Sequence, residues 1–126
     1  MNLEITIPIP HKATHPNKRV HWAVKAKHAK KQREDARMAA LFAIRQGGGR
    51  YGNDFEPLNS ASVKAVFYFR TKHSRDRDNL GSWLKNSIDG IADAGVVAND
   101  RAFSSPETSY SHDKANPRVV ITITPI

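Results

Sequence analysis

Hydrophobic residues recur along this chain at two spacings, and each spacing predicts a different element. Leu3, Ile5, Ile7 and Ile9 alternate with Asn2, Glu4, Thr6 and Pro8, the pattern of a half-buried strand. Pro8 lacks an N–H and so places that strand at a sheet edge or ends it. Residues 21–46 are rich in alanine and free of Gly and Pro, which predicts one long helix. Trp22, Ala26, Ala29, Ala36, Ala40 and Ile44 fall on one side of it, with Leu41 alongside. That side reads as packed on a sheet, and Trp22 as core rather than as a platform for stacked bases. Lys27, Lys30, Lys31, Glu34 and Arg37 take the opposite side, where Lys30 with Glu34 and Lys31 with Asp35 stand four apart and predict ion pairs.

Residues 46–62 hold Gly47-Gly48-Gly49, Asn53-Asp54 and Pro57, predicting a long loop that is disordered or lies against substrate. Val63, Ala65, Phe67 and Phe69 then alternate with Lys64, Val66, Tyr68 and Arg70, a strand. Asn79 reads as the cap of a second helix with Leu80, Leu84, Ile88 and Ile91 on its buried stripe, ended by a left-handed Gly95. Two strands follow, over 103–111 with Tyr110 inward and over 118–124 with Val119, Ile121 and Ile123 on one face; a turn at 113–117 joins them. The order β-α-β-α-β-β predicts an α+β fold: a small mixed β-sheet with two main helices packed on it, in a single domain spanning 1–126.

Charge narrows the choice of partner. Twenty Lys and Arg against 12 Asp and Glu give a net charge of +8 and a pI of about 10.1, an excess that favours a polyanion, most commonly nucleic acid. From Lys18 to Lys31 there are six basic residues and no acid. This stretch reads either as a ridge that tracks DNA phosphates or as a solvated face. With no cysteine there is no disulfide framework or thiolate metal site. His21, Lys25 and His28 share a helical side, but histidines seven apart lie roughly 10 Å from each other along the axis, too far to share a zinc ion. No apolar run has the length of a membrane span and the N-terminus carries no signal pattern, so a soluble, cytoplasmic protein is expected.

The candidate chemistry lies in Arg75-Asp76-Arg77-Asp78-Asn79-Leu80. On an extended chain residues two apart point to one side, with Cα atoms roughly 6.5–7 Å apart. Two ionised carboxylates about 4 Å apart repel by about 4 kcal/mol at an effective dielectric near 20. Surface pairs with Arg75 and Arg77 would offset that repulsion, and so would a divalent cation. A further acid, Asp100, follows the second helix, as a Mg²⁺ site for phosphate chemistry requires. A calcium loop of the EF-hand type fits poorly, since Leu80 and Ser87 stand where ligands belong.

Arg75-Asp76-x-Asp78-Asn79-Leu80, Lys85, Ile88-Asp89-Gly90-Ile91, Ala94-Gly95-Val96-Val97 and Asp100 together resemble the core of the RusA family of Holliday junction resolvases. Pro8-Ile9-Pro10, Asn17-Lys18-Arg19 and His21-Trp22 are similar to that family's N-terminal strand, loop and helix entry. The resemblance implies a homodimer that cuts four-way DNA junctions in recombination and repair, in a bacterial or phage setting. It also implies Mg²⁺ or Mn²⁺ held by Asp76, Asp78 and Asp100, and a catalytic or phosphate-contacting Lys85. An ordinary Lys85–Asp89 pair is the alternative for that lysine. Asn99 departs from the family, whose members often carry a second aspartate there. Lys18, Arg19, Lys25, Lys72, Arg75, Arg77 and Asn79 are the candidate DNA contacts. A basic nucleic-acid-binding module without chemistry is the competing expectation.

Overall fold

The computed structural model describes residues 2–46 and 55–126, with Asp100 described by its backbone alone. Four strands form one mixed sheet: β1 (Leu3–Ile7), β2 (Ala61–Phe69), β3 (Glu107–His112) and β4 (Arg118–Pro125), in the spatial order β1-β4-β2-β3. β4 pairs antiparallel with β1 and β2, placing Ile121 opposite both Ile5 and Ala65, while β2 and β3 run parallel. The strict alternation in β1, β2 and β4 sends Ile5, Phe67, Ile121 and Ile123 into the core and leaves the other face half-exposed. A sheet covered by helices on one side needs that period-two pattern.

The cover is α1 (Trp22–Gln46) and a bent second run made of α2 (Arg77–Trp83) and α3 (Lys85–Asp93). α1 and α3 come together at Gly90, where a Cβ would sit 2.0 Å from the Arg33 carbonyl oxygen and 3.1 Å from the Ala36 methyl. Only glycine allows that approach. Arg33 binds Asp93 through two hydrogen bonds on the rim of the same contact. At the bend Gln32 Nε2 donates to the Trp83 carbonyl (2.8 Å) and to Ser87 Oγ (2.9 Å), supplying the Trp83 oxygen with a partner from α1. Gly95 takes φ +87°, the left-handed helix end expected of it.

Several expectations change. Trp22 is not core: it is 76 % exposed, because α1 begins about two turns before the sheet it packs on. Asn79 does not cap the second helix; Asp76 does, three residues earlier. β2 begins at Ala61, and β3 only at Glu107, since Asp100–Ala102 forms a short 3-10 turn. Lys31 pairs with Asp35 at 2.8 Å as expected, whereas Glu34 pairs with Arg37 rather than Lys30. The core of the predicted loop, 47–54, lies outside the described residues; after it, Leu58 bonds Val96 and Ala98 through its backbone.

Candidate metal centre

Asp76 is fixed by the helix it starts. Its backbone is extended (φ −80°, ψ 117°), its carbonyl accepts from Leu80 N–H (3.2 Å), and its Oδ1 accepts from Asp78 N–H (3.0 Å). Asp78 therefore lies in the first turn of α2, not on an extended chain. Strand alternation does not bring the two carboxylates to one side; the opening turn of a helix holds both, and residues two apart on a helix do not face each other. The helix end favours anions, but its charge of roughly +0.5 is small against two carboxylates.

The adjacent arginines do not neutralise them. The Arg75 guanidinium stacks 3.6 Å over the Phe69 ring, and its Nη2 donates to Thr71 Oγ1 at 3.2 Å. Its backbone N–H donates to the Tyr110 hydroxyl (3.2 Å), and its Nε is enclosed without a partner. Among the described residues Asp76 and Asp78 form no ion pair, and neither do Lys85 and Asp89. Surface pairing, the simpler account of these acids, is absent here.

A cavity of about 260 Å³ lies against Asp76, lined also by His15, Phe69, Arg75, Asn79 and Trp83. A second, of about 310 Å³, shares His15 and Trp83 and extends past Lys12, Asn17 and Lys18. Both cavities touch His15 and Trp83; Asp76 and Arg75 line the first, Lys12 and Lys18 the second. Their shared wall is Trp83, whose Nε1 donates to the His11 carbonyl (3.2 Å) and Thr14 Oγ1 (3.0 Å), binding the N-terminal loop to α2. His15 meets the Trp83 ring edge to face at 5.0 Å. Burial, then the charges of Lys18 and Arg75, hold His15 below the ordinary histidine range. Trp83 and His15 were missed from sequence, although Leu80, Trp83 and Leu84 stand at the i, i+3, i+4 spacing that marks a buried helical stripe.

Asp76, Arg75 and Asn79 thus line one cavity and Lys18 its neighbour. Asp78 and Arg77 share the adjoining helical turn, where Thr108 Oγ1 donates to the Arg77 carbonyl. Lys85 is exposed just past the bend; Lys72, Arg19 and Lys25 are exposed elsewhere. The backbone of Asp100 opens the 3-10 turn, capped by Asn99, whose Oδ1 accepts from Arg101 N–H at 2.9 Å. The Asp100 side chain lies outside the described residues, among which no group of three His, Cys, Asp or Glu could hold a metal. Asp76 and Asp78 remain two exposed carboxylates with no ion-pair partner among the described residues. No described helix is long and apolar enough to cross a membrane.

No family model matches the chain. An uncharacterized protein of Xylella fastidiosa (strain Temecula1 / ATCC 700964) is 34% identical to it over 122 residues, covering 97% of this chain and 76% of the relative. The chain belongs to the same family as that Xylella protein.

Proposed function

We propose that this protein is a metal-dependent endodeoxyribonuclease of the RusA type, acting on branched DNA as a homodimer with one site per subunit. The observation that carries the reading is the pair Asp76 and Asp78, free of ion-pair partners among the described residues although arginines flank both, with a cavity at Asp76 and a lysine-lined cavity next to it. Asp76 and Asp78 would hold Mg²⁺ or Mn²⁺, with Asp100 as the third ligand. When bound, such an ion supplies a water of lowered pKa and positive charge next to a phosphodiester. Arg75, held rigid on Phe69, and Lys18 would anchor the flanking phosphates, a task suited to a guanidinium and a point charge respectively. Lys85 would offset charge developing on the phosphate oxygens. A near two-fold four-way junction matches a two-fold dimer that nicks opposing strands.

Asp76→Asn separates chemistry from folding, because asparagine caps a helix as well as aspartate does. With purified protein and a labelled four-way junction, wild type should cut in Mg²⁺ and stop in chelator. Asp76→Asn and Asp78→Asn should retard the junction without cutting it. Undiminished cutting by either variant refutes the assignment. Wild-type binding without cutting in Mg²⁺ or Mn²⁺ would instead favour a binding module in which Asp76 serves only as a cap.

A further inference from the structure

We propose that Trp22, carried on the overhanging start of α1, is a stacking platform for unpaired nucleobases. The proposal rests on the nucleic-acid part of the reading above, not on cleavage. Trp22 and Ala40 are 18 residues apart, five full helical turns, so they share one side of α1. Ala40 is wholly buried; Trp22 is 76 % exposed. Trp22 to Lys27 are all exposed and His28, stacked 3.6 Å from His11, is where the helix first meets the body, so six residues, roughly 9 Å, project past it. The tip of the projection is hydrogen-bonded: His21 accepts from Ala23 N–H through Nδ1 (3.2 Å) and from Lys25 N–H through its carbonyl (3.0 Å). The imidazole then lies 5.6 Å from the indole.

The charge around this indole selects its occupant. Lys18, Arg19, Lys25, Lys27, Lys30 and Lys31 surround it in sequence, and among the described residues only Lys31 has an acidic partner. A flat apolar ring set among unpaired cations matches bases on a phosphate backbone; sequence-tolerant stacking on such rings is how single strands are gripped. A second copy of this chain would bring the same cations against these. A lipid surface calls for a broad apolar face, whereas alanines and lysines make up most of this one. Trp22 is four residues from Lys18, at most about 14 Å of chain, so one unpaired strand can follow lysines from the Lys18 cavity to the indole.

The chain has two tryptophans, and Trp83 is buried, so Trp22 supplies the solvent-sensitive emission. In chelator, titration with a single-stranded oligothymidylate should quench that emission far more than a blunt duplex of equal length. Trp22→Ala should weaken oligothymidylate binding by roughly ten- to a hundredfold and leave duplex binding unchanged, with Trp22→Phe intermediate. Circular dichroism and thermal melting of Trp22→Ala should match wild type. Equal oligothymidylate affinity in Trp22→Ala overturns the proposal even if the protein cuts junctions. Emission that shifts on dilution points to a second copy on the indole and also overturns it. So does quenching by anionic vesicles without quenching by oligothymidylate. If no junction is cut yet Trp22-dependent binding persists, the platform stands and the nuclease reading falls.

Discussion

Over its second half α1 buries Gln32, Ala36, Ala40 and Ile44 and lets Gly90 of α3 touch its backbone; over its first half every residue from Trp22 to Lys27 stands in solvent. The helical spacing is continuous across both halves. What differs is the depth of cover: β1 and α3 lie under the later part, whereas the earlier part meets the N-terminal loop, where His28 stacks on His11 at 3.6 Å. Composition differs too, with small residues where backbones approach and cations with an indole where they do not. Burial is therefore set by where the partner ends.

The largest expected effect is at the contact. Gly90→Ala forces a methyl into the Arg33 carbonyl and should cost about 3 kcal/mol, read as a lowered urea midpoint. Next is Gln32→Ala, which strips the Trp83 carbonyl of its donor inside the core and should cost about 2 kcal/mol by the same measurement. A midpoint unchanged in both variants would show that the halves do not differ in packing.

The paired cavities give a smaller, pH-dependent effect. His15 Nδ1 accepts from Asn17 N–H (3.1 Å), which requires neutral imidazole. With its folded pKa below the ordinary 6.5, the unfolded chain takes up the proton first. The stabilisation is complete above 6.5 and is lost as pH falls from there through the lowered value. Melting temperature should drop over that window, and His15→Asn, which keeps an uncharged acceptor at the same place, should flatten the slope. The smallest effect belongs to the first half of α1: Trp22→Ala should change stability by less than about 0.5 kcal/mol, by thermal melting. A larger loss would mean that the indole is structural after all.

Much of this architecture was legible from period alone. Val119, Ile121 and Ile123 could only be one face of a strand, and Gly95 had the conformational freedom that a helix end needs. Long-range facts were not legible. The bend at Leu84 coincides with a contact from Gln32, 51 residues before Trp83. Asp76 and Asn79 are both competent caps; folding chose the earlier one and turned a presumed strand pair into a helix start. Asp76 and Asp78 were visible as candidate ligands, but not that Arg75 would turn onto Phe69 and leave them unpaired. His15 and Trp83 gave no sign of meeting, since the hydrogen bonds that join their segments span about 70 residues.

Gln32 stands where the two halves of α1 divide, and its amide nitrogen grips the carbonyl left open at the bend. α1 and the short helix that Asp76 opens are therefore tied by a buried amide, alongside the Gly90 contact and the Trp83 bonds to the N-terminal loop.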